Sequence, residues 1–332
     1  MSGTDVLARP LRLDPGDPRI PERRQSRLGL RPDEDRRRAL WLSGDPEVLR
    51  RPAIGIVGTR RPSAHGLAAT RSIAALCVAH GWLVVSGMAL GIDAAAHEAA
   101  LDAGGETIGV LPSPAPLGLR HGARRLALRT VERGGLVSDR PPGTPAAAWS
   151  FVTRNTLLAA LCDGLIVVEA PEESGALITA EAAEGFQIPL AFVTAPFGSE
   201  TAAGGVAWCA RARALEQLLV ESRAPSILTD RHTVLEWLDV CAASVGTDDR
   251  PRGVSLQPLA QRAPENGLRA EILQRLAAAG ADGLAEGDLL DLCRGAEAAL
   301  PAALTLLAAR GLVEQRGGRW RGSEGAVLRS RA

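Results

Sequence analysis

The pattern of apolar positions changes character several times along the 332-residue chain. Residues 1–38 mix Arg, Pro and Asp without sustained periodicity, and are expected to form a largely extended lead-in with room for one short helix. Short continuous apolar runs then follow at 53–58 (AIGIVG), 82–87 (WLVVSG), 107–111, 136–138, 165–169 and 190–194. Ala-rich helical stretches near 63–80 and 91–103 separate the first of them. Runs this short, alternating with helices, read as parallel strands covered on both faces. The expected fold class is therefore α/β: a doubly wound, mostly parallel Rossmann-like sheet over residues 39–240. Such sheets bind ligands outside the C-terminal ends of their strands, so the strand-exit loops are where function is to be sought.

Residues 241–266, with Asp248, Asp249, Arg250 and Pro251, form a linker by composition. Helical patterns at 268–279, 286–293 and 298–310 come next, then GLVEQRGGRWR at 311–321, which reads as two short strands about Gly317-Gly318. Three helices and a hairpin make a small C-terminal winged-helix domain over 267–322. Its third helix offers almost no polar side chain to a base edge. The hairpin carries Arg316, Arg319, Trp320 and Arg321, so protein contact or accessory backbone binding is expected of this domain.

Composition narrows the function classes. Thirty-eight basic residues balance thirty-eight acidic ones, so no global field draws the chain to a polyanion. Any nucleic-acid affinity must come from local clusters, and here every such cation is arginine. Cys77, Cys162, Cys209, Cys241 and Cys293 are scattered without a C-x-x-C pair, which argues against a disulfide framework or a zinc site. The histidines show no metal-ligand spacing, so neither metal nor cofactor is expected. No apolar run reaches membrane-spanning length and no signal-peptide core opens the chain; a cytoplasmic protein without a membrane partner is expected.

Two strand exits carry candidate chemistry. The first passes through Gly58, Thr59, Arg60 and Arg61 into a helix whose N-terminal N–H groups are expected to face an anion. Both arginines suit phosphate. The turn is neither a dinucleotide fingerprint nor a Walker loop, and a structural turn with surface arginines explains it equally well. The second exit runs through Ser86, Gly87, Gly91, Asp93 and His97. Asp93 and His97 are four apart at a helix start: either an acid–base pair, or a capping carboxylate that pins the histidine, which is the preferred reading.

Taken together, IVGTR (56–60), SGMALGIDAAAH (86–97), Arg154-Asn155 and EAPEESGALITA (169–180) resemble, in order and spacing, the DprA/Smf family of DNA-processing proteins. The similarity runs over residues 10–215. It implies a protein that binds single-stranded DNA, passes it to a RecA-type recombinase, dimerises through the Rossmann-like domain and has no established catalytic reaction. The DNA-binding residues it implies are Gly58, Thr59, Arg60, Arg61, Ser86, Gly87, Arg154, Asn155, Ser174 and Gly175. Arg120, Arg124 and Arg125 join them from the arginine-rich segment 119–133, which reads equally as a solvated helix face. Gly91, Asp93, His97 and Glu169 belong to the structural motif.

Trp149, Phe151 and Phe197 are the aromatic candidates for base stacking, and core packing is expected of each. Binding should then be backbone-dominated and sequence-tolerant. The chain departs from the family pattern at Thr156, where a second arginine is usual, at 111–114 (LPSP), at Asp139 and over 195–208. The alternatives are a nucleotide-derivative sensor or a phosphoribohydrolase-like enzyme of the same superfamily. The loop at 169–175 (EAPEESG) lacks the Pro-Gly-Gly phosphate cradle of such enzymes, and Glu169, Glu172 and Glu173 would repel a ribose phosphate.

Overall fold

The computed structural model describes residues 7–29, 39–117, 119, 122–196, 198–218 and 225–245, residue 8 excepted. Beyond them it describes 283–285, 313–316, 318–322 and isolated positions between 272 and 304. The chain divides into two compact units, Met1–Val254 and Ser255–Ala332.

The first unit is a nine-stranded sheet: β1 (Leu11–Leu13), β2 (Leu40–Gly44), β3 (Ala53–Val57), β4 (Leu83–Ser86), β5 (Thr107–Val110), β6 (Gly134–Ser138), β7 (Gly164–Val167), β8 (Leu190–Val193) and β9 (Ser226–Leu228). Its helices are α1 (Glu22–Gly29), α2 (Ala64–Ala79), α3 (Ile92–Asp102), α4 (Arg124–Glu132), α5 (Ala148–Ala160), α6 (Gly175–Gly185), α7 (Ala203–Leu218) and α8 (Arg231–Ser244). The spatial order is β1-β2-β6-β5-β4-β3-β7-β8-β9. Strands β3 to β9 are parallel, while β1–β2 and β2–β6 are antiparallel. This is the expected Rossmann-like architecture, and β3–β8 fall on the six apolar runs.

Strand side chains alternate between faces, and here both faces are covered. Ala53 and Val57 of β3, Leu83 and Val85 of β4, and Leu165 and Val167 of β7 pack into one core with α5 and α6. Ile54 and Ile56, Val84, and Ile166 point the other way, into a core shared with α2, α3 and α8. That double burial is why these strands read as unbroken apolar runs. Gly55 sits at the centre of the sheet, and a Cβ there would lie 2.7 Å from Leu165 and 2.8 Å from the Cys162 sulfur. Helix α5 can approach the sheet because that side chain is missing.

The chain leaves β3 to build β4, β5 and β6 on one side, then crosses to β7 on the other. The exits of β3 and β7 therefore diverge, and this switch point opens a crevice at the C-terminal edge of the sheet.

The described part of the lead-in holds an extended strand, β1, and the one short helix there was room for, α1, and the finding is that both are tied to the sheet. The cause is Asp163, which is 1% exposed at the entrance to β7. Its carboxylate accepts from Arg24 Nη2 at 2.6 Å, Arg23 Nε at 2.8 Å and the Ala53 amide at 3.0 Å. Arg24, equally buried, also donates to the carbonyls of Leu49 and Arg51 at 2.8 and 2.7 Å. A charge-rich segment thus folds because its arginines close on one buried anion. The strands β2 and β9 were also missed: β9 is a three-residue edge strand, while β2 lies inside the sheet between β1 and β6.

In the second unit β11 (Val313–Arg316) and β12 (Arg319–Gly322) form the expected hairpin, and β10 (Leu284–Ala285) adds a third strand beside β12. The helices expected at 268–279, 286–293 and 298–310 lie largely outside the described residues.

Burial alone would raise the Asp163 carboxyl, but Arg24 and Arg23 overcome it and hold it well below the usual carboxylate range. Stability drawn from this group is complete above the unfolded carboxyl pKa of about 4 and drains away as pH falls through lower values. Asp163→Asn, which leaves Arg24 buried without a counter-ion, should cost about 3–5 kcal/mol in urea denaturation at neutral pH. The deficit relative to wild type should shrink below pH 4.

Candidate nucleic-acid interface

At the switch point lies a cleft of about 450 Å³, lined by Gly58–Arg61 after β3, by the start of α6 after β7, and by one face of α5. The β3 exit is held rigidly. Thr59 donates its amide to the Glu169 carbonyl at 2.7 Å and accepts the Ile92 amide at 3.2 Å, while its hydroxyl accepts the Arg61 amide at 3.2 Å. With Thr59 turned inward, Arg60 and Arg61 face solvent. Among the described residues neither guanidinium has a hydrogen-bond or ion-pair partner.

The N-terminus of α2, expected to hold an anion, is already occupied. Ser63 caps it by accepting the Gly66 amide at 3.0 Å, and the buried Glu169 carboxylate accepts the Ser63 amide at 2.9 Å as well as its hydroxyl. A carboxylate here meets the positive end of the helix dipole, as a bound phosphate would. Gly66 makes room, since a Cβ would lie 2.5 Å from the Glu169 carboxyl carbon. Glu169 thus belongs to the frame that shapes the β3 loop.

Arg154, among the DNA-binding residues the resemblance implies, lines the cleft as its floor, 6% exposed. Its Nη1 donates to the carbonyls of Gly87 and, at 3.1 Å, Val110, and its Nε donates to Asn155 Oδ1 at 3.0 Å. One guanidinium therefore ties α5 to the exits of β4 and β5. Asn155 carries the link onward, its Nδ2 donating to the Gly175 carbonyl at 3.0 Å. Among the described residues Arg154 Nη2 has no hydrogen-bond partner.

Asp93 is the counter-charge. It does not cap its own helix, whose N-cap is Gly91 at φ +87°. It reaches back to accept the amides of Gly87 at 3.1 Å and Ala89 at 3.4 Å, fixing the turn in which Met88 adopts φ +56°. Burial pushes the Asp93 carboxyl up, against the pull of Arg154 and the turn amides; burial likewise pulls the Arg154 guanidinium down, with Asp93 opposing and Arg60 adding. Gly87 is required by this packing, because a Cβ would stand 2.7 Å from Asp93 Oδ2.

No hydrogen bond joins Asp93 to His97 among the described residues, which removes both the acid–base pair and the pinned histidine. His97 is fully buried with Nδ1 2.7 Å from Thr107 Oγ1, and burial lowers its pKa to about 3. It stays neutral as part of the core. Ser86 and Gly87 lie beneath the cleft rather than on it: the Ser86 hydroxyl donates to the Ile56 carbonyl at 2.6 Å, and the Gly87 amide is spent on Asp93.

Ser174 caps α6 through the Ala176 amide at 3.2 Å, and with Gly175 it forms the opposite wall, beside Glu173. Arg124 and Arg125 are exposed in the first turn of α4, which lies at the same strand-exit end because a crossover helix runs antiparallel to its strands. Arg129 and Arg133 point to the other end, paired with Asp102 at 2.7 Å and the Gly104 carbonyl at 3.0 Å. The arginine-rich segment is thus divided between the two ends of the sheet. Arg120 and Phe197 lie outside the described residues.

The aromatic residues correct the expectation of core packing. Trp149 is 54% and Phe151 37% exposed, and Phe151 lines the cleft. The buried stripe of α5 runs through Ser150, Arg154, Leu157 and Leu158, so residues 149, 151 and 152 fall off it. Helical phasing from a buried Arg154 is the signal that places these three residues off the buried stripe. Among the described residues no group of three or more His, Cys, Asp or Glu is placed to hold a metal ion, and no helix is long and apolar enough to cross a membrane.

A mostly parallel Rossmann-like sheet with an arginine-bearing cleft at its switch point defines the class. Within it, the sequence profile described as DNA recombination-mediator protein A matches residues 13–219, and the chain belongs to that family. A putative DNA processing protein DprA of Mycobacterium tuberculosis is 34% identical over 289 residues, which cover 85% of this chain and 68% of that protein. DprA of Bacillus subtilis is 38% identical over 146 residues, 42% of this chain. The chain spans under half the length of the Bacillus protein (48%) and of Smf from Synechocystis (43%). Among solved structures, DprA of Streptococcus pneumoniae superposes with a TM-score of 0.56 at 25% identity, over 70% of this chain and 76% of that one. The Helicobacter pylori protein, whose structure was described for its single-stranded DNA binding mode, gives 0.51 at 25% identity, over 61% and 87%.

The two kinds of arginine should separate by stability. Arg154→Ala strips the buried Gly87 and Val110 carbonyls of their donor and removes the cation nearest the buried Asp93, and should cost about 3–5 kcal/mol in urea denaturation. Arg60→Ala, at an exposed site, should stay within about 0.5 kcal/mol of wild type.

Proposed function

We propose that the first unit binds single-stranded DNA along the strand-exit edge and acts as a recombination mediator, passing the strand to a RecA-type recombinase. The observation that carries this reading is the pair of exposed arginines, Arg60 and Arg61, without partners among the described residues, at the mouth of the switch-point cleft. Family membership and the single-strand binding described for the Helicobacter relative support it. Phosphates run past Arg60 and Arg61 toward Arg124 and Arg125, on the side of the cleft away from Glu173. Arg154 Nη2 and the Gly175 amide supply donors from the floor and wall, and Phe151 offers its ring to a base. The protein acts by binding and not by turnover: Asp93 is committed to a backbone turn and His97 to Thr107, so neither serves as an acid or base. We further assign it to the cytoplasm, as a homodimer through the Rossmann-like domain, with a winged-helix C-terminal module that contacts protein or DNA backbone.

Fluorescence polarisation with an oligo-dT strand at a series of salt concentrations tests this. Four arginines neutralising phosphates should give a logarithmic salt slope of about −3. Arg60→Ala with Arg61→Ala should weaken binding at every salt concentration and reduce the slope by about 1.4. An unchanged slope in the folded double variant would refute the phosphate track. Saturable mononucleotide binding that does not compete with oligo-dT would favour a nucleotide sensor, and base release from nucleoside monophosphates an enzyme.

A further inference from the structure

Helix α5 starts at the lip of the cleft, and its first turn exposes Trp149, Phe151 and Val152. Phe151 and Val152 line the cleft. Trp149 lies just outside it, three residues before Val152 and so on the same side of the helix. The indole is held in place: the Arg140 guanidinium carbon sits 4.0 Å from the ring centroid. Arg140 is 6% exposed at the end of β6, its Nε 3.6 Å from the Asp139 carboxylate and its Nη2 donating to Thr153 Oγ1 at 3.4 Å. A buried cation therefore backs one face of a ring that is otherwise more than half exposed.

Leaving a fixed, flat aromatic surface in water forgoes the burial that usually orders an indole. Beside an arginine-lined cleft, such a surface matches the stacking platforms that hold bases of single strands, where a ring ordered beforehand has less freedom to lose. We propose that Trp149 is a second stacking platform, taking the nucleobase that follows the one at Phe151, so that the strand leaves the cleft across the first turn of α5. The inference rests on the single-strand reading above. It also adds to it, by giving the strand a direction of exit and the site a length longer than the cleft. Continuity with the cleft through Val152 and the cation behind the ring favour an anionic strand over a second copy of the chain as occupant.

The test compares the full chain with Trp149→Ala and Trp149→Phe on two oligo-dT strands: the shortest that saturates the cleft, and one several nucleotides longer. Trp149→Ala should weaken binding of the long strand about tenfold, one base of stacking, and leave the short strand unchanged. Trp149→Phe should stay within about threefold of wild type on both. Both variants should melt like wild type, since the residue is exposed. Equal affinity of Trp149→Ala and wild type for the long strand would overturn the proposal. So would an equal loss on both strands, which would place the ring inside the cleft. A shift from dimer to monomer in DNA-free sedimentation of Trp149→Ala would overturn it too, by assigning the patch to contact between copies. If Trp149→Ala shows its length-dependent loss while Arg60→Ala with Arg61→Ala binds normally, the platform stands and the phosphate track falls.

Discussion

The cleft depends on two buried opposite charges, Asp93 and Arg154, that meet at Gly87: its amide donates to Asp93 and its carbonyl accepts from Arg154. Desolvation penalises both members, and each is retained by what it binds besides its partner: turn amides for Asp93, strand-exit carbonyls and Asn155 for Arg154. Removing either would leave a charge in a space built for two. Because the pair fastens α5 to the ends of β4 and β5, it sets where the aromatic first turn of α5 stands relative to the β3 loop. A mainly structural contact thereby fixes the geometry of a binding surface.

The same economy governs the charges. The chain has no net charge, yet its arginines fall into two populations. Arg23 and Arg24 are paired with the buried Asp163, Arg154 is buried near Asp93, and all three hold elements together. Arg60 and Arg61 are left to solvent. A local field at one edge of the sheet arises by pairing cations elsewhere, without an excess of positive charge. Glu169 makes a related division among helix termini: it fills the start of α2 from within, so the start of α6, with Gly175 open beside it, is the one facing the cleft.

These divisions explain what could be read from the sequence. The parallel core was legible because strands buried on both faces leave unbroken apolar runs, and β3–β8 fall on them. The strand-exit loops followed from the rule that ligands meet such sheets at their C-terminal edge. Legibility failed where meaning depended on a distant partner. The structural share of Arg154's role was hidden because the Gly87 and Val110 carbonyls it binds, and Asp93 beside them, are remote in sequence. The docking of the lead-in could not be read because its arginines meet Asp163 only in the folded chain. Trp149 and Phe151 looked like core because aromatic rings usually are, and their exposure is set by which face of α5 the sheet covers. Residue type gave the chemistry in each case, and tertiary pairing decided which face it served.

The antiparallel edge of the sheet has a consequence for how the chain is made. Strand β2 finds its partner in β6, with Trp41 opposite Ser138, and the anion that anchors α1 comes later still, at Asp163. During synthesis this segment therefore leaves the ribosome well before the partners that give it its place. It must wait, unpaired, while the βα units between are completed. Its wealth of arginine, aspartate and proline suits that interval: a segment with few consecutive apolar residues can remain solvated without seeding aggregation. The composition that hid the docking of the lead-in is what lets it arrive late.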